Sequence, residues 1–169
     1  MLPKVITKGD FQAFVNALTG EYSVFGPVLK ETTAAGEEKF VFASISDASQ
    51  LRMDYDTTLL SPKKYFLPQR ETLLKFTLGQ EQTVEAVVDT TQRVIVGAHP
   101  CDIYATWLLD EVFSSDNKDP NYLSRRERAL IVGIDCCRPC DATWTRPKDA
   151  GRAQPTSAEA ATPCTLCPT

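Results

Sequence analysis

The sequence predicts an α/β fold of the α+β kind: a small mixed sheet with a C-terminal parallel βαβ unit, and a disordered tail beyond it. Three observations carry this expectation. Two β-branched runs, Arg93–Gly97 and Ala129–Ile134, bracket a stretch of helical periodicity, and strand, helix, strand at that spacing argues for neighbouring parallel strands. An amphipathic pattern near the start precedes two further β-type runs. After Cys140 no hydrophobic period continues.

The elements follow in order. Phe11, Phe14, Val15 and Leu18 recur at helical spacing within Lys8–Leu18; Asp10 is placed to cap the start and Gly20 to end the helix. Tyr22–Leu29, broken by Gly26-Pro27, and Lys39–Ile45 are strand-like, with Thr32–Glu38 as the polar turn between them. Tyr55–Leu67 has little periodicity and is punctuated by Pro62 and Pro68. A short helix is predicted over Arg70–Leu78, from Leu73, Leu74 and Phe76, and a further strand over Glu81–Val88. Beyond the run that stops at Gly97, Asp102 opens a helix through Ile103, Trp107, Leu108 and Val112, and Asn121–Glu127 adds a helical turn. Both strands of the βαβ unit are expected to be buried, with a right-handed crossover.

Composition narrows the function classes. A chain of 169 residues with 43% hydrophobic content can bury one core, which assigns residues 1–140 to one domain and 141–169 to a low-complexity tail. That tail holds only Trp144 and Leu166 as large apolar residues. Eighteen basic against twenty-two acidic residues give a net charge of −4, so there is no basic field for nucleic acid. No window approaches the roughly 20 apolar residues of a membrane span, and Met1–Val5 lacks the apolar core of a signal peptide. A cytoplasmic location is the expectation.

The six cysteines fall late: Cys101, Cys136, Cys137, Cys140, Cys164 and Cys167. Clustered thiols in a cytosolic chain point to metal binding or redox chemistry before disulfides. In an open α/β sheet, ligands gather outside the carboxyl ends of the strands. The first apolar run leads to Ala98-His99-Pro100-Cys101-Asp102 and the second to Asp135-Cys136-Cys137-Arg138-Pro139-Cys140. Side by side, the two strands would bring Cys101 to the later cluster across 35 residues of sequence. Cys101 also precedes a helix, whose N-terminal dipole favours negative charge. Converging thiolates suit an iron–sulfur cluster or zinc; taken singly, Cys101 is equally a small buried hydrophobe. Adjacent Cys136 and Cys137 do not both face one metal easily, Cys164-x-x-Cys167 is an isolated pair, and His99 is read as a loop residue. The chain has no glycine-rich phosphate loop, nucleophile elbow or ferredoxin cysteine run. No catalytic residue is assigned.

Ser61-Pro62-Lys63-Lys64-Tyr65-Phe66-Leu67-Pro68-Gln69-Arg70-Glu71-Thr72-Leu73-Leu74 resembles the S-P-K-x-x-x-x-P-Q-x-E-x-L segment of iron–sulfur subunits of the sulfhydrogenase beta type. That group includes the first subunit of anaerobic sulfite reductase. Tyr22–Val28 is similar to its early strand, Gly97–Asp102 to its G-x-x-P-C-D element, Asp110 and Phe113 to its D-x-x-F, and Tyr122 with Arg125-Arg126 to its Y-x-x-R-R. Ile131–Cys136 is similar to its strand ending in cysteine, and the ordered match covers roughly residues 1–140.

The resemblance implies a subunit that passes electrons through [4Fe–4S] clusters, between a hydrogenase or reductase large subunit and a flavin-containing subunit. It assigns Cys101 and Cys136 as metal ligands, with Cys140 as a third. A cubane needs four ligands, and the fourth is left to Cys137, a tail cysteine or a partner. Relatives carry a further Cys-x-Cys pair and two ferredoxin-type runs; here Asp141–Thr145 stands in place of the pair. The chain is therefore expected to correspond to the N-terminal part of such a subunit. Two alternatives stay open, an assembly module that docks to redox partners and a zinc-stabilised domain.

Overall fold

A computed structural model of the chain describes residues 6–78, 83–116 and 118–135. It contains helices α1 (Lys8–Thr19), α2 (Pro100–Ser114) and α3 (Pro120–Glu127), and strands β1 (Ser23–Thr32), β2 (Glu38–Ser44), β3 (Leu74–Thr77), β4 (Thr83–Ala86), β5 (Arg93–Ala98) and β6 (Ala129–Gly133). Four strands form a mixed sheet in the order β2-β1-β5-β6, and β3 with β4 forms a separate hairpin. The β1–β2 pair is antiparallel, whereas β5 runs parallel to β1 and to β6. The predicted βαβ unit is present as β5-α2-α3-β6.

The central strand explains the layering. β5 is buried along its whole length. Val94 and Val96 face a cluster with Val15 of α1, Val24, Ile45 and Ala48. Ile95 faces the opposite cluster, with Phe40, Phe42, Tyr55, Phe66 and Tyr122. Alternating side chains thus serve two faces, and each buried aliphatic contributes roughly 1.5–3 kcal/mol. The sheet lies between α1 on one side and α2 with α3 on the other.

Four expectations are corrected. The α1 cap is Thr7, and Asp10 is its partner in a capping box: the Asp10 N–H donates to Thr7 Oγ1 at 3.1 Å and the Thr7 N–H to Asp10 Oδ2 at 3.3 Å. Such a T-x-x-D pair satisfies two amides at once. Strand β1 passes through Gly26-Pro27 unbroken. Its ladder to β5 stops at Phe25, and the Pro27 carbonyl accepts from the Arg52 N–H at 2.9 Å, so the missing proline N–H removes no bond to β2. A Cβ at Gly26 would overlap Leu51 and Ile45.

The helix predicted over Arg70–Leu78 is instead strand β3, which places Leu74 opposite Ala86 and Phe76 opposite Val84. Finally, β6 is not buried. It is the edge strand of the sheet, and Leu130 is 55% exposed. The tail assigned to 141–169 lies outside the described residues. Among those described, no helix is long and apolar enough to cross a membrane.

Candidate functional site

The carboxyl edge of the sheet is held from several directions. Ala98 closes β5 opposite Gly133 of β6, and its carbonyl accepts from the Ile134 N–H at 3.0 Å. One residue earlier Gly97 has φ +84°, and a Cβ there would press on Met53 and Pro27. This is a conformation and a clearance that glycine alone meets easily. Tyr55 donates its hydroxyl to the Gly97 carbonyl at 2.7 Å. Its ring stacks on His99 at 4.2 Å with an interplanar angle of 5°. His99 is the loop residue the sequence suggests, buried here as the N-cap of α2; burial pulls its pKa down against the opposing pull of Asp102 and Asp56.

Helix α2 begins two residues before Asp102, where the sequence pattern placed its start, with Pro100 in the first position. Cys101 thus lies inside the first turn, and it is exposed and free of any disulfide. That exposure removes the reading of Cys101 as a buried small hydrophobe. Next to it, Asp102 Oδ1 accepts from Ser61 Oγ at 2.6 Å and pairs with Lys63 Nζ at 3.6 Å. The S-P-K and P-C-D elements, far apart in sequence, meet here.

The other proposed ligands, Cys136 and Cys140, lie outside the described residues, as do Cys137, Cys164 and Cys167. Among the described residues no group of three His, Cys, Asp or Glu side chains is arranged to hold a metal ion. Those residues contribute one accessible thiol, Cys101, at the edge where β6 delivers the chain to Asp135. This donor chemistry and this position fit a thiolate-ligated cluster, but do not complete one.

A second cluster lies towards the opposite end of α2. Nine residues separate Cys101 from Asp110 along the helix, about 14 Å of rise. The buried Arg125 donates to the Phe66 carbonyl at 3.0 Å and to Glu71, with Asp89 at 3.8 Å. Arg93 bridges the Tyr65 carbonyl at 2.9 Å and Asp89 at 2.6 Å. Tyr122 donates to Asp110 at 2.7 Å, which also accepts from Arg126 Nε at 3.0 Å. The P-Q-x-E, D-x-x-F and Y-x-x-R-R elements therefore meet one another and do not meet Cys101. Their role is to hold α2, α3 and the 61–71 segment together. The sequence signal was available: an acid in one motif and an arginine in another are natural partners.

This cluster makes stability depend on acid. Burial pushes the Asp89 carboxyl up, but the hydrogen bonds from Arg93 and Thr91 outweigh it and hold the group at about 2. The ordinary value is about 3.9, so the contribution is fully present above that value and is lost as pH falls towards 2. Because the Asp89 side chain is 35% exposed, solvent screening limits the effect to about 1 kcal/mol. The stability advantage of the wild type over Asp89→Asn is expected to shrink by that amount between about pH 5 and pH 2, measured by urea unfolding. An advantage that grows on acidification would contradict the assignment.

No family model and no solved structure matches the chain. Among curated proteins, it is 36% identical over 126 residues to the sulfhydrogenase 2 subunit beta of Pyrococcus furiosus, a stretch that covers 75% of this chain and 35% of that protein. The chain spans about a third of the length of this relative. The elements that resemble the sulfhydrogenase beta type lie in one folded unit and make specific contacts with each other there. With that identity over three quarters of its length, the chain belongs to the sulfhydrogenase beta subunit family.

Proposed function

We propose that this chain serves electron transfer in a hydrogenase or reductase complex, and that Cys101, Cys136 and Cys140 supply thiolates to a [4Fe–4S] cluster at the carboxyl edge of the sheet. The observation that supports it most is the parallel pairing of β5 with β6, ending with Ala98 opposite Gly133. Cys101 follows the first of these residues by three positions and Cys136 the second by three. Such a cluster, when bound, supplies one-electron transfer. The remaining ligand would be Cys137, a tail cysteine or a partner's residue. A large hydrogenase or reductase subunit and a flavin-containing subunit are the partners this reading requires.

The test is anaerobic reconstitution of the full chain with ferrous iron and sulfide. Visible charge-transfer absorption and protein-bound iron are expected for the wild type, and Cys101→Ser is expected to lose most of both. Unchanged iron content and an unchanged electron paramagnetic resonance spectrum in Cys101→Ser would remove Cys101 from the site. A colourless protein with one zinc per chain would favour the zinc-stabilised alternative.

An assembly role without a cluster is the second reading. It is favoured by the exposed apolar stripe of α2, where Tyr104, Trp107, Leu108 and Val112 are 42–60% exposed. Large exposed apolar patches mark interaction surfaces. A chain that stays colourless after reconstitution but binds a hydrogenase subunit would support it.

A further inference from the structure

We infer that Ser61 and Lys63 are positioning residues: through Asp102 they fix the corner between β5 and α2, and so set where the Cys101 thiol stands at the sheet edge. This inference rests on the ligand role proposed for Cys101. The corner is tied at successive points. Gly97 is tied through its carbonyl to Tyr55, and Ala98 through its carbonyl to Ile134. The His99 ring lies flat on Tyr55. Asp102 is bound by Ser61 at 2.6 Å and by Lys63 at 3.6 Å. Of residues 97–102, only Pro100 and Cys101 are exposed.

The chemistry of the clamp is specific. Ser61 Oγ also accepts from the Lys63 N–H at 3.4 Å, so one hydroxyl both caps the short 3-10 helix Pro62–Tyr65 and donates to Asp102. Pro62, buried and set between Ser61 and Lys63, fixes the backbone of that turn. Asp102 lies in the first turn of α2, where the helix dipole favours its charge. On the backbone side, Thr106 Oγ1 donates to the Asp102 carbonyl at 2.8 Å. A carboxylate accepting a hydroxyl bond beside an ammonium forms a stronger tie than a neutral pair. The ligand's neighbour is therefore anchored to a segment 41 residues away. Groups that orient a ligand in this way commonly change metal affinity by ~10–100-fold when removed.

The experiment compares wild type, Ser61→Ala, Asp102→Ala, the double variant and Ser61→Thr as full chains. In the metal-free state, hydrogen exchange of the peptide spanning 99–106 is expected to quicken about fivefold in each alanine variant, the ratio that loss of one hydrogen bond gives. The double variant should show little change beyond Asp102→Ala, because the Ser61–Asp102 bond is already absent there. After reconstitution, Ser61→Ala is expected to release iron to a chelator at least about tenfold faster, with an altered paramagnetic spectrum. Ser61→Thr should restore both.

Unchanged exchange in Ser61→Ala would overturn the clamp whatever the iron does. Faster exchange with wild-type iron release and spectrum would overturn the positioning role. A wild type that takes up no iron would defeat the ligand role proposed for Cys101, and with it this positioning role, while exchange alone would still decide the clamp. Should Ser61→Ala lower the urea midpoint, Lys63→Met takes its place, since it keeps the hydroxyl and removes only the ammonium.

Discussion

Replacing Arg125 with alanine is expected to destabilise the fold by about 3 kcal/mol, read as a lower midpoint in urea. Arg125 is 4% exposed. Its guanidinium reaches the Phe66 carbonyl at 3.0 Å and Glu71, and lies 3.8 Å from Asp89. Three losses combine in the alanine variant. The carbonyl of Phe66, a residue with no exposed surface, is left without its donor, which costs about 1–3 kcal/mol. The buried stem of the side chain leaves space behind. Glu71 loses its partner, although its side chain is 28% exposed and turns partly to water; Asp89 keeps Arg93.

Two companion substitutions separate these terms. Arg125→Met keeps the stem and removes the donors, so it should cost less than alanine. Arg125→Lys restores a charge, but a single ammonium does not reproduce the fork that serves Phe66 and Glu71 together, so it should recover only part of the loss. If all three variants stayed within about 0.5 kcal/mol of wild type, the cluster would behave as a surface ion pair, and its buried role would be wrong.

The same residue shows where sequence reasoning stopped. As a bare pair in the sequence, Arg125-Arg126 reads as a solvated face or as partners for nearby aspartates. The second half of that reading holds for Arg126 and Asp110, but the burial of Arg125 was hidden, because periodicity in a helix of eight residues cannot say which face a neighbouring segment will cover. The partner came from 54 residues away. By contrast, β5 was legible because Val94, Ile95 and Val96 are all buried and β-branched, and a run apolar on both faces has one home, the middle of a sheet. Its neighbour was read as equally buried, since Leu130-Ile131-Val132 has the same composition. Strand order decided otherwise: β6 lies at an edge of the described sheet, where Ala129 and Ile131 pack against one cluster and Val132 against the other, each only half-buried.

The failure over Arg70–Leu78 was of a different kind. Leu73, Leu74 and Phe76 were matched to a helix, yet Leu74, Phe76 and Leu78 alternate with Lys75 and Thr77, which is the period of a strand. Leu73, next to Leu74, interrupts that alternation and gives the segment its helix-like spacing. At the site, Cys101 was legible as the residue after a strand end, while the clamp on Asp102 was not. No local pattern announces that a serine in one loop will meet an aspartate in another.

Tyr122→Ala is expected to cost more than any other single change considered, about 3–5 kcal/mol, a large share of the 5–15 kcal/mol that holds a domain together. Tyr122 has no exposed surface. Its ring packs 4.7 Å from Phe113 of α2 and 6.2 Å from Phe66, edge-on to the latter, and its hydroxyl donates to Asp110 at 2.7 Å. Burial, and then the bond to Asp110, push the phenol pKa up, so the group stays protonated and donating. Tyr122→Phe keeps the ring and should cost only about 1 kcal/mol, because Asp110 retains Arg126. The gap between the two variants measures the ring. It has a further consequence, since α3 ends at Glu127 and β6 begins at Ala129. Loosening α3 frees a strand that, among the described residues, is paired in the sheet with β5 alone. Hydrogen exchange across 129–133 should therefore quicken in Tyr122→Ala by more than across 93–98, and a reconstituted cluster should be lost faster although the Tyr122 hydroxyl bonds Asp110 and Thr106 rather than Cys101. Equal acceleration in both strands would mean that β6 does not open independently, and that the sheet edge is held by its ladder alone.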